Sequence, residues 1–425
     1  MILKNIDINR YLKLLLSPLP PVDYNRVIFR KRFTLIERLI FTIKKNNISF
    51  LNLFILLKHS IISVVQILYT PIIILFYIFN FRILHINYEQ IGAFVHQLDF
   101  VTKNNKLNEK YKLIALAPNF LRVNNFIFDL YKKELFFYTS NFFIYLFFYP
   151  LIHCRLSSLE PWSGEVTNAL SKYNKIHADY NKVFKDYKCA LNYISSYEYK
   201  NFLKKMKIEN KKIVSLHIRD SFFYNFKSNR SSDINSYKKT ILYLLRKNLV
   251  VIRFTHSNSS KLNINNNKYI ELEINTELDK KLQFLIIKNS YFFICNQSGP
   301  MNYDSLLDTP FLLTNALPIN ICGLIKKQDR FIFKKFYNHE KKYFLNILEI
   351  FKNNFHLYPE LCKKKNISII DNNENDILFA AKEMTLNVKN NFFNPDYRQL
   401  NFFKLLKKNY SIKYTDAVIS KSFYC

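Results

Sequence analysis

Residues 212–237 read KIVSLHIRDSFFYNFKSNRSSDINSY, and residues 291–315 answer them with YFFICNQSGPMNYDSLLDTPFLLTN. In the first stretch Val214, Leu216 and Ile218 make an apolar run that ends where His217, Arg219 and Asp220 emerge. A polar loop follows, then an amphipathic helical pattern. In the second, an apolar strand pattern runs into a Ser-Gly-Pro turn, a short helical pattern and another apolar strand. Each stretch is a strand that delivers polar residues to a loop leading into a helix. In open α/β sheets, ligands sit outside the carboxyl ends of such strands. These two stretches therefore predict a parallel sheet with a binding site at its carboxyl edge.

Alternation of the same kind extends outward. Towards the C-terminus of this core, Val250–Phe254, Tyr269–Glu273 and Phe311–Thr314 read as strands. Asn235 is placed to cap a helix with Tyr237, Ile241, Leu244 and Leu245 on one face, and Leu278, Leu282, Leu285 and Ile286 line another. Residues 341–356 and 374–386 read as helices, the latter with Ile377, Ala380, Ala381 and Met384 on one face. Towards the N-terminus, 82–87 (RILHIN), 112–117 (KLIALA) and 134–140 (ELFFYTS) read as strands and 93–101 and 125–132 as helices, giving a second, smaller α/β unit. The run 141–151 is a buried helix or a surface in contact with lipid. Residues 165–210 read as a polar helical connection. The division expected is 1–81, a basic and apolar helical segment; 82–210, the first α/β domain and its connection; 211–340, the second α/β domain; and 341–425, C-terminal helices and tail.

The 425 residues carry 63 Lys and Arg against 32 Asp and Glu, a formal charge of +31, so the chain attracts anionic partners. Abundant Lys, Asn, Ile, Phe and Tyr with only four Gly is also the composition of an AT-rich genome, and the basic residues are spread along the chain. That spread argues against a nucleic-acid footprint. Six Cys form no C-x-x-C pair, and a reducing compartment is expected. Residues 60–81 carry no charge until Arg82 and follow a basic amphipathic segment, which is long enough to span but runs straight into a strand. A monotopic or buried hairpin on the inner leaflet is expected, hence a peripheral protein on the cytoplasmic face.

Among residues with chemistry, Arg219 offers a fixed fork of donors for phosphate oxygens at a strand end. His217 shares its face by the strand period, while Asp220 points the other way and can orient a loop. Ser298 is placed to cap the next helix with Pro300 in its first turn, so that Gln297, Ser298, Gly299 and Pro300 form an anion-attracting turn. Arg230, Ser232 and Asp233 lie in the loop after the first strand, and Arg253 ends a neighbouring one. Where Gly is so scarce, Gly92 and Gly299, both read in strand-to-helix loops, mark backbones that need close approach or positive φ. No Asp-x-Asp, no P-loop and no nucleophile elbow is present, and the nine His show no metal-ligand spacing. No metal and no cofactor is expected.

The order VSLHIRD, SSDINSY, VVIRF, YFFICNQSGP and TPFLLTNALP resembles a family of bacterial glycosyltransferases of surface-polysaccharide loci. The resemblance covers about residues 82–386 and is most specific over 212–318. His-x-Arg is also similar to the donor-phosphate motif of fucosyltransferase-like enzymes. The segment YEQIGAFVHQLD resembles the family's Ile-Gly segment, with Glu-Gln where Arg often precedes Ile. The resemblance implies a GT-B fold: two Rossmann-like domains around a cleft, the C-terminal one holding a nucleotide-sugar and the N-terminal one the acceptor. It implies metal-independent transfer of a hexosyl or deoxyhexosyl group to a glycan or lipid-linked glycan, with Glu89, His96 and Asp99 as candidates for the base. Two other readings stay open: a non-catalytic membrane-surface or scaffold protein on a transferase fold, and a nucleic-acid binder motivated by charge alone.

Overall fold

The computed structural model describes residues 61–62, 64–84, 86–88, 90–108, 111–154, 156–159, 197–220, 229–317, 324, 326–353, 355, 360–410 and 416–424. The chain divides into two compact units, 1–187 and 188–425. The basic segment before residue 60, most of the expected connection, and Glu89 lie outside the described residues.

In the first unit, helix α1 (Thr70–Ile78) leads into β1 (Phe81–Leu84). Helix α2 (Ile91–Asn108), β2 (Lys112–Leu116), α3 (Asn125–Tyr131), β3 (Phe137–Thr139), α4 (Phe142–Ile152) and β4 (Ser158–Leu159) follow. The sheet order is β3-β2-β1-β4 and every pairing is parallel. Asn124 accepts the Ile127 N–H and starts α3, and Asn141 does the same for α4 through the N–H groups of Phe143 and Ile144. Two expectations need correction. Gly92 lies in the first turn of α2 and is buried, not in a loop, because the chain enters the helix at Ile91 directly after an Asx turn in which Asn87 Oδ1 accepts the Gln90 N–H. The strand expected at 134–140 is shortened to Phe137–Thr139, because residues 132–134 close a 3-10 turn.

The second unit opens with α5 (Tyr197–Met206) and β5 (Ile213–His217). After a 3-10 turn at Ile234–Tyr237 come α6 (Lys238–Arg246), β6 (Val250–Thr255), β7 (Tyr269–Glu273), α7 (Glu277–Lys288) and β8 (Phe292–Cys295). A second 3-10 segment, Gly299–Ser305, precedes β9 (Phe311–Ala316) and β10 (Arg330–Phe333). β11 (Lys335–Asn338), β12 (Tyr343–Phe344), α8 (Ile347–Lys352), α9 (Glu360–Lys364), β13 (Ile367–Ile370), α10 (Glu374–Asn390), α11 (Tyr397–Tyr410) and β14 (Val418–Ile419) complete it. The large sheet runs β14-β10-β9-β8-β5-β6-β7, all parallel. Numbered from β5 as the first strand, that order is 3-2-1-4-5-6 with one further strand, the doubly wound Rossmann arrangement.

Burial follows from sequence pattern. Every residue of β5, β6, β8 and β9 is buried, as expected of central parallel strands covered on both faces. On one face Val214, Leu216, Val251, Ile294 and Leu312 pack with Ile241 and Leu244 of α6 and Ile377, Ala380, Ala381 and Met384 of α10. The two alanines lie against no bulk of their own, which lets α10 approach α6 and the sheet closely. Helix α7 packs against β5 and α5, with Leu282, Leu285 and Ile286 buried as expected, but Leu278 in its first turn is 52% exposed. Asn235 is not the cap ahead of α6; Asp233 accepts its N–H instead. The helix expected over 341–356 is confined to Ile347–Lys352. Lys342 turns the chain with φ of 54°, so that Tyr343 pairs with Asn338, and Asn346 with Glu349 then closes a capping box.

The C-terminal stretch is tied to the sheet by a buried ion pair. Arg330 Nε lies 3.2 Å from Glu383 Oε1, while the Arg330 guanidinium donates to the carbonyls of Lys327, Asp329 and Phe393. Glu383 in turn accepts from Gln399, from the Ser420 hydroxyl and from the Lys421 N–H. Removing one side of such a pair strands the other in the interior. Arg330→Met should lower stability by about 3 kcal/mol in urea unfolding and should expose 416–424 to hydrogen exchange before the rest of the sheet.

Candidate functional site

The strand order reverses between β5 and β8, where the chain leaves β5 towards β6 and leaves β8 towards β9. That switch point opens a crevice at the carboxyl ends of the two strands. The register sets His217 beside Cys295 on one side and Phe254 on the other. Beyond it the two loops are joined by one side chain that sequence reading missed, Asn296. Its Oδ1 accepts the Arg219 N–H at 2.8 Å, and its Nδ2 donates to Arg219 O at 3.0 Å, Ser232 Oγ at 3.2 Å and Arg230 O at 3.3 Å. Two N–H groups thus serve three acceptors, which an amide can do only by sharing one. The Ser232 N–H donates to Arg219 O, and Arg230 Nε donates to Gln297 O at 3.0 Å.

This clamp gathers Arg219, Arg230, Ser232, His217, Gln297 and Ser298 at one end of the sheet. Arg219 has its backbone pinned and its side chain half-buried, while Arg230 is exposed. Two buried polar atoms at this edge have no hydrogen-bond partner among the described residues: Nδ1 of His217 and Oε1 of Gln297. The Gln297 amide nitrogen is anchored on Leu317 O at 3.1 Å, so its oxygen is held in place. The His217 ring meets His256, just beyond β6, edge to face with centroids 6.1 Å apart. Burial, assisted by the charges of His256, Arg253 and Arg219, pushes His217 down to about 3, so the ring is neutral at pH 7.

Other expected residues are engaged elsewhere. Asp220 accepts the Ser260 N–H at 3.0 Å and stands 3.8 Å from Arg253, so it fixes the loop after β6. Arg253 is buried and pairs with Glu271 at 2.7 Å. The Asp233 carboxylate is taken by the turn it caps. Ser298 does not cap the following segment with its side chain: its hydroxyl donates back to Asn296 O, and the segment Gly299–Ser305 is a 3-10 helix with Pro300 in its first turn. Gly299 is half-buried at the turn. Below the crevice, Tyr237 shares a 2.6 Å hydrogen bond with Thr314 and accepts from Asn315, which exchanges two 2.6 Å bonds with Asn372. Asn315 takes φ of 53°, a left-handed conformation that Asn tolerates. Buried Lys334 donates to Ser231 O and to Asp371, holding the 229–233 loop from below.

In the first unit, His96 and Asp99 lie on α2. Asp99 is fully buried, paired with Lys103 at 3.0 Å and accepting the Tyr131 hydroxyl at 2.7 Å. Burial lowers His96 to about 4. Among the described residues, no group of three or more His, Cys, Asp or Glu side chains converges as metal ligands would.

No family model and no curated protein matches the chain. Among solved structures it is similar to the E. coli ADP-heptose LPS heptosyltransferase II, with 12% identity and a TM-score of 0.42 over 66% of this chain and 100% of that one. It is also similar to a family 9 glycosyl transferase from Veillonella parvula, with 12% identity and a TM-score of 0.30 over 68% of this chain and 78% of that one.

Two outcomes follow from this geometry. Asn296→Ala leaves the Arg219 N–H without its acceptor and should cost about 2–3 kcal/mol, with faster hydrogen exchange confined at first to 218–233. His217 has a folded-state affinity for protons below its unfolded value, so its contribution is complete above about pH 6.5 and is lost as pH falls towards 3. Urea unfolding at pH 7 and pH 5 should differ by about 2 kcal/mol less in His217→Gln than in the parent.

Proposed function

We propose that this chain is a glycosyltransferase whose second unit takes the diphosphate of a nucleotide-sugar at the β5–β8 switch point. The observation that carries the reading is the Asn296 clamp, which sets Arg219 and Arg230 beside two buried, unpartnered polar atoms at the ligand-binding edge of a Rossmann sheet. In transfer, the bond from the sugar's anomeric carbon to the phosphate oxygen breaks, and the leaving nucleoside diphosphate keeps the electron pair. An acceptor hydroxyl bonds to the same carbon and gives its proton to a base. The charge gained by the diphosphate falls in this reading to the guanidinium groups of Arg219 and Arg230, without a metal. Neutral His217 and the fixed Gln297 oxygen suit sugar or ribose hydroxyls better than phosphate oxygens, because neither adds positive charge.

The acceptor is a saccharide or lipid-linked saccharide of a surface polysaccharide, bound by the first unit. Asp99 serves Lys103 and Tyr131, so Glu89 and His96 are the candidates we retain for the base. His96, kept neutral by burial, has the protonation state that a base needs at pH 7. The donor sugar in this reading is a hexose or deoxyhexose.

The test is calorimetry with a set of nucleoside diphosphates, together with turnover of a nucleotide-sugar panel. Arg219→Lys keeps charge but loses the fork, and should cut turnover by about ten- to a thousandfold while changing donor affinity less. Arg219→Ala should also weaken nucleoside-diphosphate binding. Equal binding by a folded Arg219→Ala protein would move the donor site elsewhere. Binding without turnover of any donor would instead favour a scaffold on a transferase fold.

A further inference from the structure

The first unit carries an apolar face that the switch-point chemistry does not use. Helix α1 exposes Leu75 and Ile78, the helical turn before it exposes Leu68, and α4 exposes Phe143, Leu146 and Phe147, the last two helices reaching 61% and 78% exposure at Ile78 and Phe143. Side chains of α1 and of the helical segment before it touch α4, which brings these residues to one part of the surface. The rings of Tyr69 and Phe147 are 5.6 Å apart, those of Phe76 and Phe148 are 5.9 Å apart, and Gln66 donates to Pro150 O at 2.7 Å. Soluble monomers rarely leave so many large apolar side chains contiguous and exposed.

The charge around this face identifies its partner. No Asp or Glu occurs in 59–88 or in 135–159, and the segment 1–58 before it holds eleven Lys and Arg against three acids. At one border the aromatic contacts run from Phe76 through Phe81 to Phe136. There Lys112 Nζ lies 5.1 Å from the Phe81 ring centre and 5.7 Å from that of Phe136, and Lys132 Nζ, which also pairs with Asp129 at 2.6 Å, lies 4.9 Å from that of Tyr138. An apolar face edged by aromatic rings and lysines is the pattern of an interfacial lipid contact, with the ammonium groups at headgroup level. A second copy would bring the same charge of +31 to the contact, and self-association works against that repulsion. Here α1 has 9 residues and α4 has 11, and no helix among the described residues is long and apolar enough to cross a membrane.

We propose that the α1–α4 face of the first unit docks on the surface of an anionic bilayer, lying in the interfacial plane. The proposal is independent of the reading of the switch point.

The experiment uses the full chain with vesicles of phosphatidylcholine, with and without phosphatidylglycerol. The parent should sediment with the anionic vesicles, and Ile78→Ser with Phe143→Ser should reduce that partitioning by at least about tenfold. Both positions are exposed, so circular dichroism and melting should match the parent. A second variant places the probe on the face itself: Trp162→Phe with Phe147→Trp. Its emission should shift to the blue on anionic vesicles and be quenched by brominated acyl chains. Undiminished binding by the serine variant, or unmoved emission from bound Trp-variant protein, would place the lipid contact elsewhere in the chain and overturn the proposal. So would a parent that ignores vesicles. If that parent is a dimer which the serine substitutions dissociate, the face is an interface between copies.

Discussion

The Asn296 side chain extends the sheet by one step where the backbone ladder stops. Within β5 and β8 the strands hold each other through main-chain hydrogen bonds; past His217 and Cys295 the chains diverge, one towards each side of the sheet. An amide side chain carries one acceptor and a pair of donors in one plane, so it can meet both the N–H and the C=O of Arg219 as a paired strand would. The same nitrogen reaches Arg230 O and Ser232 Oγ, which closes the long loop after β5 back onto the crevice. Because the group is fully buried, the bonds are shielded from water and each unmade one carries a desolvation penalty. The positions of both arginines follow from that constraint.

Ion pairs brace the second unit at both edges of its sheet. Arg253 links Asp220 to Glu271 and so joins the end of β5 to β6 and β7. Lys334 ties the 229–233 loop to Asp371 after β13. Lys326 lies against Asp304 and 3.5 Å from Asp329, which connects the 3-10 segment after β8 to the entry of β10. Pairs of this kind gain little net stability, since desolvation offsets attraction, but they penalise any arrangement that separates the partners. A chain with 63 basic and 32 acidic residues spends several of its scarce acids here, fixing loops at the carboxyl edge of the second sheet and, through Asp329, at its amino edge.

The first unit uses the same doubly wound logic with fewer strands and a different emphasis. One of its interior polar groups, Asp99, is satisfied by Lys103 and Tyr131 and anchors α2 to α3. Its surface is where it differs from the second unit. α1 and α4 are apolar on their outer sides as well as their inner ones, and aromatic side chains pack at tilted angles between them and the turn before α1. Pro71 in the first turn of α1 and the caps of Asn141 on α4 set these helices without any charged residue.

By itself, the sequence determined the central elements of the two sheets and their order. Apolar runs of strand length, with polar residues at their ends, marked β5, β6, β8 and β9, and helical spacing marked the buried faces of α6 and α10; these periodicities are local, and local chemistry suffices to read them. It also singled out Arg219 and the Gln297–Pro300 turn, since an Arg at a strand end and a Ser-Gly-Pro turn are conspicuous in a chain with four glycines. Tertiary structure alone decided which polar residues hold the fold and which face the crevice. Asn296, Asn315 and Asn372 are indistinguishable in sequence from the many asparagines that AT-rich composition supplies, yet each is buried and bonded to a segment 57 to 77 residues away. Arg253 and Asp220 read as strand-end site residues, but β6 runs on to Thr255, parallel pairing sets β5 and β6 side by side, and Arg253 engages both Asp220 and Glu271. Ser298 looked like a cap, but its hydroxyl turns back to Asn296. A hydrogen-bond partner that arrives from a distant strand leaves no mark on local spacing, and strand order is what brings it there.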